Sequence, residues 1–242
     1  MRPEKENPLA EAKRYPSILL FGCPGSGKGT QGVVLGAMPN LVHLAMGDIF
    51  RGLDKTSDIG KEFLSYSTKG SLVPDELTIR VFRQHVDQLR AAGKIDLAYH
   101  TLILDGIPRT LGQVELLADV IEVKRVVYLM IEDRDALIAR LAKRAAKSNR
   151  PDDADRSVIE NRILVYEHET HPVLDAYPKK LLARVNADQP PLGVLRDVAD
   201  SLIGYVSAKI LTRVAVTGST GQVDRSSRRA GTPGSDCVFR TE

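Results

Sequence analysis

The sequence predicts an α/β domain organised around a parallel sheet. Short apolar runs recur along the chain, and segments with helical spacing of apolar residues separate them. Continuous apolar runs suit strands covered on both faces, and their alternation with helices implies right-handed crossovers. A glycine-rich loop follows the first run directly. Ligands of such sheets bind at the carboxyl ends of the strands, so that loop marks the functional edge.

In chain order, residues 17–21 (SILLF) form the first predicted strand, 41–44 the second, 101–104 (TLIL) the third, 125–131 (RVVYLMI) the fourth and 181–185 the fifth. Between them, Leu77, Val81, Phe82, Val86 and Leu89 share one helical face, and Gly93 is a natural stop. Leu137, Ile138, Leu141, Ala142 and Ala145 form a second stripe. Ile159, Ile163 and Tyr166 form a third, and Leu195, Val198, Leu202, Val206 and Ile210 a last one. Residues 1–16 read as an extension and 17–213 as the folded domain. Residues 214–242, rich in Gly, Ser, Thr and Arg, are too poor in apolar groups to offset ordering entropy and are expected to be disordered.

The composition narrows the function classes. The chain has 242 residues, 43% hydrophobic and 27% charged, enough apolar content for one substantial core. No apolar run approaches the roughly 20 residues of a spanning helix. Net charge is +3, and residues 17–213 are nearly neutral, with 26 basic and 25 acidic groups, which argues against a general polyanion binder. Cys23 and Cys237 exclude a disulfide framework or a cysteine-only zinc site. The first 16 residues lack an apolar stretch and carry Glu4, Glu6 and Glu11, so they resemble no targeting peptide, and a cytoplasmic location is expected.

The loop GCPGSGKGTQ (22–31) has the spacing of a phosphate-binding loop, Gly22 to Gly27-Lys28, between a strand and a helix. Glycines let successive N–H groups turn toward one anion, the helix adds its positive end, and Lys28 supplies a mobile cation. Gly29 stands where the strict motif has Ser or Thr, and Thr30 follows it. Cys23 has no neighbouring base in sequence and reads as a bystander.

Three further segments, MGDIFR (46–51), GSLVPDEL (70–77) and LDGIPRTLGQ (104–113), complete a constellation that resembles the adenylate kinase family of nucleoside monophosphate kinases over about residues 17–212. The resemblance implies a P-loop NTPase fold with a five-stranded parallel sheet and helices on both faces. It also implies a helical monophosphate-binding insertion at about 46–76 and a short lid at about 144–155. The implied reaction is MgATP + AMP ⇌ 2 ADP. Gly25, Ser26, Gly27, Lys28, Gly29 and Thr30 match the ATP phosphate cradle, with Arg140, Arg144 and Gln189 also on the ATP side. Met46, Arg51, Ser71, Leu72, Val73, Gly106, Ile107, Pro108, Arg109, Gln113, Arg150 and Arg162 match the AMP side. Asp48 and Asp105 match the pair that meets Mg²⁺ through water. Arg144, Arg150 and Arg162 match arginines around the transferring phosphate, and with Lys28 and Arg109 make up the catalytic set.

The residue types agree with this chemistry. Phosphoryl transfer depends on positioning and electrostatics, and guanidinium forks hold phosphate oxygens at two points while staying charged. The acceptor is already an oxyanion, so no base is needed, and His43, His85, His100, His168 and His171 read as structural or surface residues. The family usually has Thr at the place of Met46. A thioether lacks that hydroxyl's hydrogen bond but can pack on a purine. The lid region contains no cysteine, so no zinc is expected. The expected partners are ATP, AMP and ADP, with neither nucleic acid nor membrane, acting on a monomer. The alternatives are a kinase for UMP, CMP or GMP, and an inactive nucleotide-binding regulator that would have lost Lys28, Arg109 or the lid arginines.

Overall fold

A computed structural model describes residues 14–147 and 155–217, with side chains described through residue 145 and over 155–205. The chain divides into two compact units, Met1–Ile203 and Gly204–Glu242, and the sheet lies in the first. The five strands are β1 (Tyr15–Phe21), β2 (Leu41–Ala45), β3 (Thr101–Asp105), β4 (Ile121–Met130) and β5 (Leu182–Asn186). All pairs are parallel in the order β2-β3-β1-β4-β5. The central apolar runs are covered on both faces, with Ile18, Leu19, Leu102, Ile103, Leu104, Val126 and Val127 fully enclosed, whereas the edge strand β5 alternates, Ala183 and Val185 buried and Arg184 and Asn186 exposed.

Register sets the working edge. Asp105 pairs with Leu20 of β1 and with Ala45 of β2, so β2 and β3 end side by side and β1 runs one residue further, to Phe21. The next residues along the chain, Gly22, Met46 and Gly106, therefore leave the sheet at one rim.

The helices are α1 (Lys28–Gly36), α2 (Met46–Arg51), α3 (Asp58–Ser67), α4 (Asp75–Ala91), α5 (Leu111–Leu117), α6 (Arg134–Lys147), α7 (Arg156–Val165) and α8 (Pro191–Thr217). Of the α4 stripe, Leu77, Val81, Phe82 and Val86 are buried and Leu89 is partly buried, and Gly93 follows the helix with φ 66°. In α6, Leu137 and Leu141 are buried, but Ala142 is exposed, because it turns to the edge of the stripe. In α8, Val194 rather than Leu195 is the buried start of the face that continues to Val198 and Leu202. Ser57 caps α3 by accepting from Gly60 N–H at 3.1 Å, and Asp155 caps α7 by accepting from Ser157 N–H at 2.8 Å. Phe50 of α2 stacks on Phe63 of α3, centroids 4.9 Å apart, which joins those helices. After α7 the chain widens into a π turn at Tyr166–Thr170.

The expected tail boundary at residue 214 falls inside α8, which continues to Thr217; the rest of the tail, and residues 148–154 of the expected lid, lie outside the described residues. Among the described residues no helix is long and apolar enough to cross a membrane.

Candidate active site

The loop after β1 takes its shape from left-handed glycines: φ is 145° at Gly22, 89° at Gly25 and 96° at Gly27. A Cβ at Gly22 would sit 2.5 Å from Ser26 Oγ and 2.7 Å from Leu129 O, so the loop closes on itself only with glycine there. No side chain caps α1, which leaves its first N–H groups for an anion. Ser26 Oγ is enclosed and has no hydrogen-bond partner among the described residues, which is unusual for a buried hydroxyl outside a binding site. Lys28 Nζ donates to Gly22 O at 2.6 Å and to Cys23 O at 3.2 Å. Burial lowers the Lys28 pKa to about 8, with Asp105 opposing and Arg109 and Arg144 adding to the fall. Cys23 is 8% exposed, and burial pushes its thiol up to about 11 against the pull of Lys28, which leaves it unreactive near neutral pH.

Facing this loop, Asp105 ends β3. A Cβ at position 29 would lie 3.6 Å from Asp105 Oδ2, so Gly29 stands directly over that carboxylate. Burial raises the Asp105 pKa, but His43, Lys28 and Arg109 outweigh it, and the net direction is down. Asp105 therefore stays ionised in an enclosed position. Asp48, the more exposed carboxylate, accepts from Arg51 Nη2 at 2.5 Å. Among the described residues no group of three or more His, Cys, Asp or Glu is assembled to hold a metal directly.

On the opposite wall, Gly106 (φ 81°) lets the chain turn so that Arg109 Nε donates to Gly106 O at 2.9 Å. Thr110 caps α5: its hydroxyl accepts from Gln113 N–H at 3.1 Å and donates to Asp75 Oδ2 at 2.7 Å. Gln113 is 2% exposed; its Oε1 accepts from Arg109 N–H at 2.7 Å and its Nε2 donates to Asp75 Oδ1 at 2.9 Å. Gln113 lines a small cavity of about 90 Å³ together with Met46, Arg51, Ser71, Leu72, Val73, Gly106, Arg109 and Arg162. Met46 is 2% exposed and belongs to the main core. Pro108 faces the larger cleft, whereas Ile107 lines neither cavity, because its side chain is packed into the core at 2% exposure.

Arg140 Nη1 donates to Ala187 O at 3.1 Å and Nη2 approaches Asp188 at 3.3 Å. Gln189 Nε2 donates to Asn186 O at 2.8 Å and to Asp197 Oδ2 at 2.7 Å, so the β5–α8 turn and α6 are joined beside the cleft. Arg144 and Arg162 reach the same space from α6 and α7. A Cβ at Gly70 (φ 71°) would come within 2.8 Å of Arg162 Cγ, and Asn161 Nδ2 donates to Lys69 O at 2.7 Å. The end of the α2–α3 segment is thus seated on α7.

One cleft of about 920 Å³ therefore gathers Gly25, Ser26, Gly27, Lys28, Gly29, Thr30, Asp48, Arg51, Leu72, Asp105, Gly106, Pro108, Arg109, Arg140, Arg144, Arg162 and Gln189. Arg150 lies outside the described residues. Three further residues take part: His43, one of the histidines read from sequence as structural or surface, lines the cleft beside Asp105. Asp75 and Asn161 meet partners 35 to 92 positions away, which local spacing does not encode.

A sequence model of the family described as adenylate kinase matches residues 20–182. A protein of Synechococcus sp. (strain JA-2-3B'a(2-13)) named adenylate kinase is 36% identical over 197 residues, 78% of this chain and 97% of the relative. A Thermobifida fusca protein of the same name is 36% identical and covers 72% of this chain and 90% of its own length. A Chlamydia trachomatis protein, also so named, is 30% identical, with 76% and 89% covered.

Proposed function

Because the chain belongs to the adenylate kinase family, we propose that this cleft transfers the γ-phosphoryl group of ATP to AMP, reversibly, giving two ADP. The observation that carries the reading is the gathering of Lys28, Arg51, Arg109, Arg140, Arg144 and Arg162 around one space in a protein whose net charge is only +3. Such a concentration of cations suits a triphosphate and a monophosphate held end to end.

In this reading an oxygen of the AMP phosphate attacks the γ-phosphorus, the bond to the β–γ bridging oxygen breaks, and that oxygen leaves on ADP. No proton moves, so the protein supplies alignment and charge. The Gly25–Thr30 backbone and Lys28 hold the donor phosphates. Arg51 and Arg109 hold the acceptor phosphate, and Arg144, Arg150 and Arg162 surround the group in transfer. Arg140 and Gln189 flank the donor base, and Gln113 with Met46 and Val73 forms the acceptor-base pocket. Residues 46–76 serve as the acceptor insertion and about 144–155 as the lid, whose closure would exclude water.

Adenylate kinases use Mg²⁺ with ATP, and the residues present suit it: Asp105 is kept ionised despite its burial, and Asp48 adds a second oxygen donor at the rim. Both would hold the ion through its waters. When bound, it neutralises phosphate charge.

The test is an acceptor panel of AMP, UMP, CMP and GMP with ATP and Mg²⁺. AMP is expected to be used far faster than the others. UMP or CMP outpacing AMP by about tenfold, some 1.4 kcal/mol in transition-state binding, would overturn the AMP assignment. Absence of transfer to any acceptor would overturn the kinase reading itself.

A further inference from the structure

Gln113 cannot choose the direction of its amide. Arg109 N–H, a backbone group, can only donate, so the atom facing it must be Oε1. Asp75 presents an acceptor 2.9 Å from the other end, so the atom facing it must be Nε2. Reversing the amide would set donor against donor and acceptor against acceptor in a nearly closed position. The Asp75 carboxylate is itself held in place: Thr110 donates to its Oδ2 at 2.7 Å, and it opens α4, where the helix dipole favours negative charge. The chain also keeps room for it, since a Cβ at Gly112 would lie 2.6 Å from Asp75 Oδ2.

After these bonds Gln113 keeps one lone pair on Oε1 and one proton on Nε2. That pair complements a base edge with an amino donor beside a ring-nitrogen acceptor, the 6-amino and N1 positions of adenine. Hypoxanthine has the same outline but presents a carbonyl acceptor at position 6 and a proton on N1. It would need the reversed amide. We propose that Asp75 is a specificity-determining residue for the acceptor base: it locks the Gln113 amide in the orientation that reads adenine and rejects 6-oxopurines. Asp75 does so without touching the nucleotide, as a positioning residue. The inference rests on the proposed use of Gln113 at the acceptor base.

The test compares kcat/KM for AMP and IMP in the full chain and in Asp75→Asn, whose side-chain amide can present either a donor or an acceptor to Gln113. The unaltered protein is expected to prefer AMP by about a hundredfold or more, as sites with fixed buried polar groups do. Asp75→Asn should lower that ratio by about fivefold or more, by raising KM for AMP and admitting IMP, while KM for ATP is unchanged. Thr110→Ser, which keeps the hydroxyl that caps α5 and seats Asp75, should leave the ratio in place. A smaller change in Asp75→Asn, or equal use of AMP and IMP by the unaltered protein, overturns the lock. Should Asp75→Asn not fold, the unaltered protein decides by NMR: slow solvent exchange of a Gln113 side-chain amide proton supports the lock, and exchange as fast as in exposed glutamines overturns it. A protein that phosphorylates IMP and UMP but not AMP would instead refute the acceptor assignment, which is a separate failure.

Discussion

His43 Nε2 lies 3.9 Å from Asp105 Oδ2, between the carboxylate and the backbone of α1. The separation is too long for a direct hydrogen bond but close enough to act electrostatically on the carboxylate. The ring fits there because Gly32 and Gly36 give up their side chains to it. A Cβ at Gly32 would overlap the His43 ring, and one at Gly36 would approach His43 Cβ to 2.7 Å.

This arrangement predicts an asymmetric double-mutant result. Gly32→Ala and Gly36→Ala should each lower stability by about 1–3 kcal/mol, as overpacking does, partly offset by the better helix propensity of alanine. His43→Ala removes the ring that opposes position 32 but keeps the Cβ that opposes position 36. It should therefore rescue Gly32→Ala and fail to rescue Gly36→Ala. Thermal and denaturant unfolding of the unaltered protein, the three single variants and the two double variants measure the coupling. Equal rescue of both would show that the ring is not the obstruction.

Lys28 predicts a proton-linked binding reaction. Its pKa falls from the ordinary 10.5 to about 8 because the ammonium is buried. In the free protein it is neutral above that pH, and donor phosphates favour its charged form. Binding of ATP at pH 8.5–9 should take up a proton through this group, and binding at pH 6.5 should not. Calorimetry in buffers of different ionisation enthalpy reads the uptake directly, and Lys28→Met should abolish it. The linkage sign follows from the same values. Between pH 8 and 10.5 the unfolded chain binds more protons at Lys28 than the folded one, so this group's contribution to stability rises with pH across that window and is lost as pH falls toward 8.

Asn161 predicts a change in acceptor binding without a change in chemistry. Its Nδ2 donates to Lys69 O at 2.7 Å, at the end of the α2–α3 segment and one residue before Arg162. Asn161→Ala removes one exposed neutral hydrogen bond, a loss of about 1 kcal/mol. KM for AMP should rise by about two- to tenfold, with kcat and KM for ATP unchanged. Steady-state kinetics with each substrate varied in turn checks this. A fall in kcat with constant KM would place the contact on the transfer step instead.

The sequence alone determined the five strands in outline, most of the helical faces and the phosphate loop, although β4 starts at Ile121, four residues before the apolar run at 125–131 that marks it. Each is a local pattern: a continuous apolar run needs two covering layers, a 3.6-residue stripe needs one buried side, and Gly22, Gly25 and Gly27 supply backbone angles that other residues resist. The motifs at 22–31, 46–51 and 104–113 were equally legible, because each follows a strand whose carboxyl end lies at the same rim, whereas the one at 70–77 follows α3. Tertiary structure alone decided what the motifs do to one another. That His43 is a wall of the cleft depends on the register of Ala45 and Leu20 with Asp105, and on two glycines of another element. That Gln113 has one orientation depends on Asp75, 38 positions earlier, arriving at the start of α5. Local periodicity reports which face of an element is buried. It holds no record of which distant donor or acceptor will meet that face, and the direction of an amide is set only by those partners.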